Sequence, residues 1–216
     1  MASRHDKTLS ALLDRHGQTY SNQAGLRLRD TPSPLFGLLV LSLLLSTRIS
    51  GDIAVAAAHA LRKQGWTTPA KMASSTWAQR TRTLNKSGYA RYDESTSRML
   101  GDTVELLESE YRGDLRRLHD EAKDSRDLRR LLMSFKGMGD VGADIFCREV
   151  QAVWPDVYPF VDKRAAEGAK AVGLPSSTQG IAKLVSQDEF PRLVAACIRV
   201  KLAKDADEVK AEARQR

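Results

Sequence analysis

Leu35 to Leu45 is an eleven-residue stretch interrupted only by Gly37 and Ser42 and otherwise apolar. It is too short to cross a bilayer, which takes roughly 20 residues as a helix. It follows a polar, charged segment, so it does not read as a signal peptide. A helix that is apolar on every side has to be surrounded by protein. The chain is therefore expected to build itself around a buried central helix.

The rest of the chain is helical in pattern as well. It shows no sustained period-2 alternation and no long β-branched run. Gly, Pro, Ser and Asn punctuation cuts it at Thr31-Pro32-Ser33-Pro34, Ser50-Gly51-Asp52, Gly65-Trp66, Asn85-Lys86-Ser87-Gly88, Arg112-Gly113-Asp114, Trp154-Pro155-Asp156 and Gly173-Leu174-Pro175. Helices are expected between these at about 6–15, 34–47, 52–64, 69–74, 75–84, 92–111, 114–119, 125–134, 140–153, 161–172, 177–186 and 189–204. Asp52 and Ser125 are the expected caps of two of them. The charged tail after Lys204 is expected to fray.

Size and composition fit a soluble globular protein of one domain or two small lobes: 216 residues, 42% hydrophobic and 28% charged. The net charge of +7 favours an anionic partner, nucleic acid first, and equally fits a merely basic surface. Cys147 and Cys197 stand apart in apolar helical patterns, so they read as buried free thiols of a reducing, cytoplasmic setting. His5, His16, His59 and His119 have no ligand spacing, and no metal site is expected. Trp66, Trp77 and Trp154 read as core or lobe-interface residues. The sign-alternating stretch from Arg112 to Arg130 reads as a solvated face.

Between two of the expected helices lies Phe135-Lys136-Gly137-Met138-Gly139-Asp140-Val141-Gly142-Ala143. Glycine permits positive φ and close approach of another backbone. Helix, Gly-x-Gly turn, helix is a helix–hairpin–helix arrangement. The N–H groups that open its second helix bind a DNA phosphate without reading sequence. Lys136 adds a charge. The plainer alternative is an αα-corner with a glycine cap. Downstream, Tyr158-Pro159-Phe160-Val161 leads to Asp162 at an expected helix start, where negative charge is stabilised. Asp162 is either a catalytic carboxylate or an N-cap.

The hairpin followed by Val161-Asp162 resembles the endonuclease III group of DNA glycosylases, in the helix–hairpin–helix superfamily. Leu43 to Asp52 is similar to that family's early core helix and the loop leaving it. Leu84-Asn85-Lys86-Ser87-Gly88-Tyr89 is similar to its wedge loop. The likeness covers roughly residues 30–175. It implies that Asp162 breaks the bond between base and sugar, stabilising the positive charge that builds on the sugar or activating the attacking nucleophile. The base must first be flipped into a cleft. The resemblance also implies that Arg48 fills the gap left by the flipped nucleotide, with a surface salt bridge to Asp52 as the alternative. It makes Tyr89, after Gly88, a wedge that opens the stack, with a loop anchor as the alternative. Lys86, Arg91, Lys163 and Arg164 are candidate phosphate contacts, and Gly137, Met138, Gly139, Val141 and Gly142 form the grip.

Three departures from the family pattern bear on the chemistry. Val141 stands where many relatives carry a lysine that attacks the sugar as a Schiff-base nucleophile. After Asp162 the chain has only Cys197, so no iron–sulfur cluster of four cysteines is expected. The stretch between hairpin and Asp162 is longer than in close relatives, which leaves Asp140 or Asp144 as weaker alternatives for the acid.

The resulting expectation is an all-α, two-lobed protein with a cleft. A central lobe at 34–153 contains the hairpin, and 1–33 with 154–216 forms the second lobe. The expected activity is excision of a damaged or mispaired base from duplex DNA, without lyase activity and without a cofactor. The expected partner is duplex DNA with a lesion, mismatch or abasic site, bound by a monomer that needs no membrane. The alternatives are a non-catalytic binder of DNA or abasic sites, a lyase using another lysine, and an all-α interaction protein unrelated to DNA.

Overall fold

The computed structural model describes residues 4–216, which form fourteen helices and no strand. The first four are α1 (Arg4–His16), α2 (Tyr20–Gln23), α3 (Pro32–Leu45) and α4 (Gly51–Lys63). Next come α5 (Pro69–Ala73), α6 (Trp77–Lys86), α7 (Asp93–Tyr111), α8 (Leu115–Glu121) and α9 (Ser125–Leu132). The last five are α10 (Asp140–Val150), α11 (Lys163–Ala171), α12 (Thr178–Ala182), α13 (Phe190–Ala203) and α14 (Ala206–Gln215). No helix among the described residues is long and apolar enough to cross a membrane.

The apolar stretch is the buried helix α3. Pro32 and Pro34 sit in its first turn, where their missing N–H groups cost nothing. Leu35, Phe36, Leu38, Leu39, Val40, Leu41, Leu43 and Leu44 are all buried. Each large apolar side chain so placed contributes about 1.5–3 kcal/mol. α4, α8 and α10 pack around it. The caps differ from those expected. Ser50, not Asp52, accepts the Ile53 N–H, and Asp124, not Ser125, accepts from Asp127. A capping box of Thr76 and Gln79 starts α6, which begins at Trp77 rather than near 75. The guanidinium of Arg80 is buried and donates to the Ser75 and Ser97 carbonyls, tying α6 to α7.

Buried side chains form two clusters. One runs from Ala24 to Val157 around α3. The other joins Ala11 and Leu12 of α1 to α11, α13 and α14. Its tightest crossing is at Gly168, where any Cβ would overlap the Cys197 carbonyl. The edges of the clusters depart from the expected lobe boundaries at 33 and 154. Ala24 and Leu26 pack on the first cluster, as do Trp154 and Val157. Buried Glu149 of α10 accepts from the backbone N–H groups of Tyr20 and Ser21, which draws α2 onto the first cluster. From the other cluster, Arg199 of α13 lies 4.4 Å over the Tyr20 ring and donates to Gln23.

The tail does not fray. It is helix α14, with Val209 and Ala213 buried against α1. Arg15 bonds Asp205, Glu208 and Glu212, and His16 also reaches Asp205.

Candidate nucleic-acid interface and carboxylate site

The hairpin follows from four residues that have little conformational freedom. Phe135 and Met138 are buried in the first cluster and pull the turn onto the protein. Gly137 has φ +86, and a side chain there would strike the Met99 sulfur. Gly142 lies under the Met138 sulfur, with no room for a Cβ. Ser46 at the end of α3 donates to the Gly137 carbonyl at 3.3 Å.

Gly139 is the N-cap of α10 and provides no side-chain cap. The N–H groups of Asp140, Val141 and Gly142 find no acceptor among the described residues, and the space around Gly139 is open. This is an uncapped helix start facing outward, with the positive end of the helix dipole behind it. Lys136 beside it is 72% exposed and pairs with Asp102 at 2.9 Å. Asp140 places a negative charge at the same opening. Arg129 of α9 answers it at 3.1 Å and also holds Asp144 at 2.7 Å. Burial pushes the Asp144 carboxyl above its ordinary range, Arg129 pulls it down and the charge of Asp162 pushes it up again.

Asp162 is the N-cap of α11. Its Oδ1 accepts from the Arg164 and Ala165 N–H groups at 2.7 and 3.2 Å. Its Oδ2 lies 3.2 Å from Arg148 Nη1 without a hydrogen bond, and the side chain is 4% exposed. The long segment before it is closed by Gln151. That buried amide accepts from the Phe160 N–H and donates to the Phe160 carbonyl, at 2.9 and 3.1 Å. Residues 152–159 are thereby looped out, and Asp162 returns to the side of α10. Arg129, Arg148 and Gln151 were not singled out in the sequence. The available signal was charge within an otherwise buried helix: Asp144, Arg148 and Glu149 share α10 with Ile145, Phe146 and Cys147.

The remaining expected contacts separate into exposed and buried residues. Lys163, Arg164, Lys86 and Arg91 are exposed, as is Arg48. Arg48 makes no ion pair with Asp52, which instead accepts from Gln23. Tyr89 is not a wedge. It is fully buried, its hydroxyl hydrogen-bonds Thr47 Oγ1 at 2.6 Å, and it lies 3.0 Å from the Leu44 carbonyl. Gly88 before it has φ +89, which lets the chain turn Tyr89 inward. The ring anchors the end of α3, and Arg48 projects from the residue next to its Thr47 partner. Trp154 is a core residue, stacked on His119 with centroids 4.0 Å apart. Trp77 is 40% exposed under the Arg98 guanidinium and borders an open groove of about 1010 Å³ that ends at Lys136.

The endonuclease III resemblance raises an iron–sulfur cluster, which the residues here do not fit. Four thiolates are needed. Cys147 lies in one hydrophobic cluster and Cys197 in the other, and burial pushes each thiol up to about 12.

No protein-family model and no curated protein sequence matches the chain. Solved structures do. A trapped endonuclease III–DNA covalent intermediate, an estranged-adenine complex, aligns with a TM-score of 0.53 at 16% identity. The match covers 93% of this chain and 86% of that one. A non-covalent endonuclease III–DNA complex aligns over the same shares, also at 16% identity, with a TM-score of 0.49. At 16% identity the likeness is one of fold. The chain has the all-α, endonuclease III-like fold.

Proposed function

We propose that this protein is a DNA glycosylase that removes a base from duplex DNA by hydrolysis. The observation that carries this reading is the relation of two features on α10. Its uncapped N-terminus offers three unpaired N–H groups to a phosphate. Its Arg148, two turns further on, pairs with the Asp162 carboxylate. A phosphate gripped at the first feature brings a sugar toward the second. Arg48, Lys163 and Arg164 supply further positive charge, and the bound strand is held without sequence readout.

The hydrolytic form of the reaction follows from Val141. It is half-buried and apolar, so it has no amine to attack the sugar. Asp162 supplies the negative charge against which the C1′–N bond breaks. The base leaves with the bonding electrons, and water completes the sugar. With two cysteines in the sequence, this reading includes no iron–sulfur cluster. We place the protein among cytoplasmic repair enzymes acting as monomers.

A second reading, a non-catalytic binder of DNA or abasic sites, draws on one observation. Asp162 already caps a helix and pairs with Arg148, so it has a complete structural role without a substrate. A panel of duplexes, each carrying one lesion, mismatch or abasic site, separates the two. Alkali-labile breaks that vanish in Asp162→Asn support the enzyme. Salt-dependent binding with no breaks on any lesion or mismatch duplex supports the binder. Borohydride added to the abasic duplex traps a covalent adduct only if another lysine, such as Lys136 or Lys163, acts as a lyase.

A further inference from the structure

Asp144 lies one helical turn after Val141 and one turn before Arg148, so the three share a face of α10. Arg148 on that face reaches Asp162, whose buried Oδ2 has no hydrogen-bond partner. The two carboxylates therefore belong to one charged site, but they occupy it differently. Asp162 is 4% exposed and held by a helix N-terminus. Asp144 is 26% exposed, its Oδ1 is held by Arg129, and its Oδ2 has no partner among the described residues. Of the two, Asp144 is the one a water molecule can reach.

We propose that Asp144 is a second catalytic carboxylate, placed to activate the attacking water while Asp162 stabilises the charge on the sugar. The proposal rests on the glycosylase reading above. In the step it performs, the water oxygen bonds to C1′ as the C1′–N bond breaks. The electron pair leaves with the base, the water's proton passes to Asp144 Oδ2, and the departing base takes a proton from solvent. Two carboxylates in contrasting surroundings are a recurrent solution to such chemistry. Arg129 is a positioning residue, since its planar fork fixes Asp144 from α9.

The groups that face Asp144 are Arg129 from α9, Asp140, Cys147 and Arg148 of its own helix, and Asp162 at the start of α11. Burial and the Asp162 charge outweigh the arginines and hold its carboxyl above the ordinary range. A base with a raised value is better matched to neutral pH.

The test uses two duplexes that need no identified lesion. One carries a cationic pyrrolidine in place of a single sugar, mimicking the charge that develops at C1′; the other carries a neutral tetrahydrofuran. The wild-type protein is expected to prefer the cationic duplex by about a hundredfold, and Asp144→Asn to lose about tenfold of that preference. Asp144→Glu is expected to keep most of it. Loss in Asp162→Asn with full retention in Asp144→Asn overturns the role of Asp144 and leaves the glycosylase reading standing. Equal wild-type affinity for both duplexes overturns the catalytic reading, and the role of Asp144 with it. Carboxyl ¹³C titration of the free protein tests the same pair without substrate. Asp144 is expected to titrate above the ordinary carboxylate range and to fall in Asp162→Asn; an ordinary value that does not respond to Asp162→Asn overturns the proposal.

Discussion

Arg148 Nη1 lies 3.2 Å from Asp162 Oδ2, and both side chains are at least nine-tenths buried. The pair links the last turn of α10 to the N-cap of α11. It fixes the carboxylate relative to the hairpin, although twenty-odd residues separate the two in sequence. Removing one partner from such a pair strands the other charge, at a cost of about 3 kcal/mol.

Asp162→Asn retains an N-cap but not the charge, so it should lose about 3 kcal/mol of stability. Asp162→Ala loses the cap as well and should cost about 1 kcal/mol more. Denaturant unfolding measures both. An Asp162→Asn variant as stable as the wild type contradicts the structural role of the pair.

The hairpin glycines should divide by function. Gly139 has φ −95 with open space around it, so Gly139→Ala should fold normally. Its methyl would stand where a phosphate approaches, and duplex affinity should fall about tenfold. Gly137→Ala meets both a positive φ and the Met99 sulfur, and should cost about 2 kcal/mol or more. Melting temperature and duplex binding, measured on both variants, check the division.

Tyr89→Phe should lower stability by about 1 kcal/mol, because Thr47 and the Leu44 carbonyl lose the phenolic hydroxyl. Affinity for duplex DNA should be unchanged at temperatures where the variant is folded. A variant of full stability and weakened binding would instead return Tyr89 to the wedge role.

Docking of α14 should be acid-sensitive. Burial pushes Asp205 up, but the hydrogen bonds from Arg15 and His16 outweigh it and hold the carboxyl below its ordinary range. A depressed carboxylate contributes stability above its unfolded value of about 3.9 and loses it as pH falls through the folded value. Asp205→Asn should therefore melt below the wild type at neutral pH, and the two should converge once the pH has fallen through the depressed folded value. A difference that persists in acid contradicts the assignment.

Most of the helical elements were legible because they announce themselves locally, though the short α2 did not. α3 is apolar on every side, and the turns around it carry Gly and Pro. The tail was not legible. Val209 and Ala213 are the only buried side chains of α14, and the residues that hold it, Arg15 and His16, lie about 190 positions earlier. Tyr89 failed for a related reason. An exposed wedge and a buried anchor have the same sequence, and the hydroxyl partners that decide between them come from α3. At the site, the glycines of the hairpin and Asp162 stood out by type and order. Arg148 and Gln151 did not, because each works only once the looped-out segment has brought Asp162 and Phe160 back to α10.

The most direct measurement is chromatographic detection of free base released from the lesion and mismatch duplexes, with wild-type protein and Asp162→Asn side by side. The account predicts free base from at least one duplex with the wild type and none with the variant. Salt-dependent binding of duplexes with no free base from any of them would contradict it.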